Sequence, residues 1–242
     1  MDFMSTTDTA HPPHPLEAHF KAFQGTKLYD LLAASPIIAW YGFCEYQQIP
    51  LLLNQLAALN GTAVDALFVA SLISKIVSLV FVAVLGVMLT IRHVPLAKSA
   101  GLLPRIAAIA GTYLGVSIVL QQPPELPVAV HYLSIILIIG GTVFSLYSVT
   151  RLGRSISMMP EARRLVTDGP YGVIRHPLYL GEGIALLGLT LQFFSAWSLF
   201  LFALQCAFQF ERMKNEERVL ADAFPDYAPY KERTARLVPG LY

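Results

Sequence analysis

The 242-residue chain is 55% hydrophobic and only 14% charged, with a mean hydropathy of +0.56. A soluble domain carries roughly a quarter charged residues, so this composition excludes an ordinary water-soluble fold and reads as a polytopic membrane protein. A net charge of +1 leaves no basic field for nucleic acid, and two cysteines give no disulfide framework.

Residues 1–27 include His11-Pro12-Pro13-His14-Pro15 and lack a cationic start followed by an apolar core. They read as a flexible cytoplasmic tail rather than a signal peptide. His11, His14 and His19 belong to that tail, with metal binding as the alternative. Four apolar spans follow at residues 31–53, 63–91, 104–120 and 128–150, each near the twenty residues that cross about 30 Å of hydrocarbon. Cys44 lies in the first, and like Cys206 further on it reads as a small core residue rather than a reactive thiol. Glu45 and Lys75 are ionisable residues within spans; they either pair or line a path, or lie near enough to an interface to snorkel.

The apolar stretch 178–210 is too long for one ordinary crossing. Its middle, Gln192-Phe193-Phe194-Ser195-Ala196-Trp197, is the polar and aromatic mixture of an interface. Two helices, 178–193 and 196–212, are expected there as a hairpin. The expected fold is thus all-α: a polytopic membrane helical bundle of four spans, a C-terminal transmembrane hairpin and a cytoplasmic amphipathic C-terminal segment. The organisation expected is a tail (1–27), a four-span region (28–150) and a region bearing the motifs (151–242).

Cation placement sets the orientation. Lys21 and Lys27 precede span one, Arg92, Lys98 and Arg105 separate spans two and three, and Arg151, Arg154, Arg163, Arg164 and Arg175 follow span four. Six more lie between residues 212 and 236, whereas the loops 54–62 and 121–127 have none. The positive-inside rule puts both termini and the loop after span four in the cytoplasm.

That loop carries the chemistry. Arg163–Tyr171 (RRLVTDGPY) turns at Asp168-Gly169-Pro170, where glycine permits positive φ and proline fixes its own. Pro177 is tolerated in a first helical turn, so a helix is expected to begin near His176, its N–H groups and the Arg175/His176 pair facing the mouth of the bundle and favouring an anion. Tyr179 shares a face with His176, and Gly181, Gly183 and Gly188 permit close approach by a helix or ligand. Beyond the hairpin, Arg212 and Glu216 are one helical turn apart. Alone they read as a surface ion pair; returned by the hairpin to the same membrane face as Arg175, they read as part of a site. The stretch 218–242, where cations alternate with Phe224, Tyr227 and Tyr230, is expected either to lie on headgroups or to cap that site.

Together these residues resemble the isoprenylcysteine carboxyl methyltransferase and phospholipid methyltransferase superfamily of integral membrane enzymes. The matching pattern is Leu165-Val166-Thr167-x-Gly169-x-Tyr171, then Arg175-His176-Pro177-x-Tyr179-x-Gly181, and after the hairpin Glu216-Glu217, Phe224, Tyr227, Tyr230-Lys231 and Pro239. It covers roughly the last ninety residues. The resemblance implies an S-adenosylmethionine site open to the cytosol, with Arg163, Arg164, Leu165, Val166, Tyr171, His176, Pro177, Leu178, Tyr179 and Glu216 contacting the cofactor. It places Arg212 on the substrate, with Arg175 as a second catalytic arginine. The implied reaction is in-line methyl transfer to a lipophilic or small-molecule acceptor, which enters from among the membrane lipids, without a metal. An amine acceptor would have to lose a proton, and no residue of the motif is committed as a base, which favours an anionic acceptor. Two other readings stand beside this one. A steroid 5α-reductase type of membrane enzyme would use NADPH, and a small transporter or assembly factor would use Glu45 and Lys75.

Overall fold

The computed structural model describes residues 22–59 and 65–240. Residues 1–21 of the expected tail, with their three histidines, lie outside the described part; Thr26 and Lys27 already belong to the start of a helix. Thr26 caps α1 (Lys27–Ala58) by accepting a hydrogen bond from Tyr29 N at 3.2 Å, and Asp65 caps α2 (Ala66–Ile91) by accepting from Phe68 N at 2.7 Å. Then follow α3 (Leu103–Tyr113), α4 (Val128–Leu152), α5 (Pro177–Gln192), α6 (Ala196–Ala223) and α7 (Tyr227–Arg233). The fold is nearly all-α. The departure is a two-stranded antiparallel ladder, β1 (Ala97–Lys98) with β2 (Glu161–Ala162), which closes the ends of α2 and α4 against each other.

Two helical stretches, Ala66–Ile91 and Val128–Ser155, are long and apolar enough to cross a membrane. Their apolar side chains are largely uncovered by protein: Ile73, Val80, Val87 and Ile136 are 45%, 44%, 55% and 64% exposed. The core helix of a soluble protein would bury them, so a lipid environment is the solvent they fit. The expected third span is divided. α3 ends at Tyr113 and a 3-10 helix, Gly115–Leu120, continues it. The segment Gly111-Thr112-Tyr113-Leu114-Gly115 is poor in helix formers, and the Thr112 and Ser117 hydroxyls bond back to the carbonyls of Ala108 and Leu114.

After α5, Ser195 opens α6 with a reciprocal capping box involving Ser198. α6 runs back along α5: Gln209 meets Glu182 and Tyr179 meets Glu216, pairs that lie further apart in the chain with distance from the turn. α6 continues to Ala223, beyond the expected end at residue 212, so Glu216 and Glu217 stand on a rigid helix.

α4 and α5 make the most extensive helix contact. A Cβ on Gly141 would lie 2.6 Å from Gly181 O, and one on Gly188 would lie 2.7 Å from Ser134 O. The Ser134 hydroxyl also donates to Gly188 O at 2.8 Å. These small residues let two backbones meet, the packing favoured where lipid removes the hydrophobic drive. Gly183, expected to do the same, has no such neighbour and instead lines a cavity. At one end of the bundle, Leu85, Leu89, Val149 and Ile156 form a buried core joined by Phe81, Met88 and Leu178.

Candidate functional site

The loop between α4 and α5 is shaped by its turn. Gly169 adopts φ +59°, and a Cβ there would meet the Arg151 side chain at 3.3 Å, so the sequence expectation of a glycine-dependent turn holds. A short 3-10 turn, Gly169–Gly172, then drives Tyr171 inward to 6% exposure. Its hydroxyl is buried without a hydrogen-bond partner among the described residues, and its carbonyl accepts from Tyr230 Oη at 2.8 Å. Burial, and next the Glu216 charge, push the Tyr171 phenol well above its ordinary pKa, so it stays neutral.

A narrow cleft of about 40 Å³ lies behind Tyr171. Arg163, Arg164, Leu165, Val166, His176 and Glu216, which the resemblance names as cofactor contacts, line it, and Arg175 also reaches it. The remaining expected contacts fall elsewhere. Pro177 is fully buried at the start of α5, and Leu178 packs on the α2–α4 core. Tyr179 faces a second, larger cavity while its hydroxyl donates to Glu216 Oε2 at 2.7 Å. That bond thus joins a residue lining one space to a residue lining the other.

Arg163 is held by structure as much as it lines the cleft. Its Nη2 bonds Asp30 at 2.8 Å and Glu161 at 2.6 Å, and its Nη1 donates to His93 O. Arg92 binds the same Asp30 at 2.9 Å, so α1, α2 and β2 are tied together through one carboxylate. Arg163 Nε, in contrast, is buried with no partner among the described residues.

Glu217, which the sequence reading left without a role, is a hub. Its Oε1 accepts from Arg175 Nε at 2.9 Å and Arg236 Nε at 2.9 Å and lies 3.2 Å from His176 Nε2; its Oε2 accepts from Arg236 Nη2 at 2.8 Å. Burial alone would raise its pKa, but the bonds from His176, Arg236 and Arg175 outweigh it and hold the carboxyl well below its ordinary range. Arg175 further donates to the carbonyls of Lys231 and Thr234. The N–H groups of Arg175 and His176, expected to face an anion, donate instead to Ala235 O and Arg236 O at 2.8 and 3.1 Å. The C-terminal segment is thus a cap laced onto the loop, with Tyr227 and Tyr230 buried beneath it. Adjacent acids on a helix are an ambiguous signal; only the fold shows which one faces the arginines.

The larger cavity, about 600 Å³, is lined by residues of all six helices from α1 to α6 and is mostly apolar. Polar groups gather at one end: Tyr179, Glu182, Gln205, Gln209 and Arg212. The Arg212 guanidinium lies 4.9 Å over the Tyr179 ring and donates to Met158 O at 3.1 Å and Gln209 Oε1 at 3.4 Å. His176 also stacks on Tyr179, ring centroids 5.4 Å apart. Glu182 was not anticipated, although a carboxylate three residues after Tyr179 in an apolar run was a readable signal. Glu45 and Lys75 form no ion pair with each other among the described residues, and neither lines this cavity. Among the described residues no group of three or more His, Cys, Asp or Glu side chains is placed to hold a metal ion.

Residues 129–227 match the family model of the phospholipid methyltransferases, which embraces α4, the loop, α5 and α6. The resemblance read from the motifs therefore holds for this segment. The chain is also 35% identical over 109 residues to the cobalt-zinc-cadmium resistance protein CzcN of Cupriavidus metallidurans, covering 44% of this chain and 50% of that protein. To the nickel-cobalt-cadmium resistance protein NccN of Alcaligenes xylosoxydans xylosoxydans it is 32% identical over 82 residues, covering 34% of this chain and 38% of that protein. It thus spans half or less of the length of these curated relatives.

Proposed function

We propose that the protein is an integral membrane S-adenosylmethionine-dependent methyltransferase that modifies a lipophilic or small acceptor. One observation carries the reading: Tyr171 and His176 from the loop and Glu216 from α6, forty residues further along, line one cleft that abuts an apolar cavity. The family match over the same segment supports methyl transfer. The relatives' names concern metal resistance and say nothing of the acceptor.

The cleft's donor set fits the cofactor. The orphaned Tyr171 hydroxyl and Arg163 Nε offer hydrogen bonds to its polar groups, Glu216 can take hydroxyls or an ammonium, and Leu165, Val166 and Leu220 supply apolar contact for a ring. At about 40 Å³ the cleft is closed. Release of the Tyr179–Glu216 bond would join it to the 600 Å³ cavity, and together they reach the roughly 300–1,000 Å³ of ordinary small-molecule sites. When bound, the cofactor supplies a methyl group on an already activated sulfonium. The protein then has to align two molecules and exclude water, and alignment alone is worth several kcal/mol. Arg212, fixed over Tyr179 at the junction of the two spaces, orders the acceptor's end of the cavity; Glu216 holds the cofactor. The cation pattern supports a cytoplasmic location for the cleft and for both termini, with acceptor entering from the bilayer.

Calorimetric titration of purified protein with S-adenosylmethionine and with NADPH tests the cofactor. Binding of NADPH alone would transfer the protein to the reductase reading. Incubation of native lipid extract with methyl-labelled cofactor identifies the acceptor. Arg212→Ala is expected to cut turnover about 100-fold or more while leaving cofactor affinity within about threefold. Glu216→Gln is expected to weaken cofactor binding about tenfold or more, since a charge-assisted hydrogen bond is lost. Wild-type turnover in the first variant, or wild-type affinity in the second, removes that residue from the site.

A further inference from the structure

The polar end of the larger cavity is built to receive hydrogen rather than to hold an anion. Glu182 lies on the Tyr179 face of α5, and its Oε2 accepts from Gln209 Nε2 at 3.1 Å. Among the described residues no donor reaches its Oε1, and Glu182 lines the cavity. Gln205 donates to Gly111 O, leaving its Oε1 buried with no partner among the described residues. Arg212 is engaged by Met158 O and Gln209 and balances the Glu182 charge. The cavity end therefore presents two open acceptor oxygens and no net positive charge. An anionic headgroup entering it would meet the Glu182 carboxylate in a low dielectric, where like charges repel strongly. An N–H or O–H group would satisfy both orphan oxygens. A carboxylate kept in an apolar run and facing a cavity marks a functional position.

We propose that Glu182 is a catalytic base, and that the cavity selects an apolar molecule whose reacting nitrogen or oxygen carries a hydrogen. This rests on the methyl-transfer reading above. The acceptor's bond to hydrogen breaks and the proton passes to a Glu182 oxygen. The freed electron pair forms the new bond to the methyl carbon, the carbon–sulfur bonding pair stays on sulfur as a neutral thioether, and Glu182 returns its proton to water. Tyr179, Arg212 and Gln209 position the base. The sequence alone, lacking a committed base, favoured an anionic acceptor; Glu182 reverses that preference.

The selectivity is tested without cofactor, by titrating purified protein in neutral detergent with 1-octylamine and with octanoate. Wild type is expected to bind the amine about tenfold or more tightly than the carboxylate. Glu182→Gln, which keeps the side chain's length, is expected to bring the two within about threefold, and Glu182→Asp to restore part of the preference. Equal binding by wild type, or an unchanged ratio in Glu182→Gln, overturns the assignment. The base role is read from octylamine methylation between pH 6 and 9. The groups facing Glu182 are Arg212 and Glu216 from α6, Tyr41 from α1, Tyr171 from the loop and Tyr179 on its own helix, and all are retained in the variant. Glu182→Gln should be about 100-fold slower at pH 7 and regain rate as pH rises and free amine accumulates, with cofactor affinity unchanged. A wild-type rate and pH profile in that variant overturns the base role. If the amine preference holds but S-adenosylmethionine does not bind, methyl transfer and its proton step fall while the cavity's selectivity stands.

Discussion

Glu217 shows how much depends on one side chain. It is 5% exposed and gathers Arg175, His176 and Arg236, so a neutral replacement leaves buried cations without their counter-charge. Glu217→Gln is expected to destabilise the cap by on the order of 2–3 kcal/mol, towards the low side for a broken buried pair because Arg236 keeps some contact with water. Hydrogen exchange should rise at the amides of Arg175, His176 and Ala235, whose bonds join loop to C-terminus. Unchanged protection would show that the backbone bridge holds without the carboxylate. The pH dependence has a defined sign. The folded pKa is depressed, so the stabilisation is fully present above the unfolded value of about 4.3 and is lost as pH falls below it toward the folded value. The wild-type advantage over Glu217→Gln should be flat from pH 8 to 5 and shrink in acid. At this scale the sequence was half readable. Tyr171, His176 and Glu216 converge as their motif implied, because turn chemistry and helix spacing fix their directions. Leu178 and Glu217 were not assignable, since which face of a helix meets the core, and which of two adjacent acids meets arginine, are decided by packing between distant elements.

Among elements, the α4–α5 contact positions the site, because α5 carries Tyr179 and Glu182. Gly181 is buried at that seam, where a Cβ would lie 2.8 Å from both Gly141 O and Ser145 N. Gly181→Val is therefore expected to push α5 away from α4, at a cost of about 1–3 kcal/mol from overpacking. Thermal unfolding in detergent should show the loss, and Arg212→Ala, which leaves the seam alone, provides the contrast. A Gly181→Val protein with unchanged unfolding temperature and intact cofactor binding would mean that the helices do not meet there. Apolar length made α2 and α4 legible to within a few residues. The third span was misread as one helix because hydropathy does not register the glycines and back-bonding hydroxyls that convert its second half to 3-10 geometry. The β1–β2 ladder left no sequence signal, since two residues per strand are too few to show a period.

For the molecule as a whole, charge asymmetry is the property that links fold to function. The cleft, the Glu217 hub and the Asp30–Arg92–Arg163 cluster occupy the end of the bundle that carries the cations, whereas the loop 121–127 holds Glu125 and no lysine or arginine. On the proposed reading a cofactor arriving from water and an acceptor arriving from lipid need openings of different character, and this polarity fits that need with a charged, capped end and an apolar flank. The two native cysteines, both partly buried, can be replaced by serine to give a blank background. In it, cysteine introduced at Lys231 is expected to react with a membrane-impermeant maleimide only in inside-out vesicles, and cysteine at Glu125 only in right-side-out vesicles. Labelling of both positions from one side would leave an even number of crossings between them, or none, incompatible with a cytoplasmic cleft served by a lipid-facing cavity. The opposite pattern would turn the cleft to the outer compartment, away from any cytosolic supply of S-adenosylmethionine. The labelling thus bears on the reaction as much as on the topology, because a methyl donor made in the cytosol can only be used by a site that faces it.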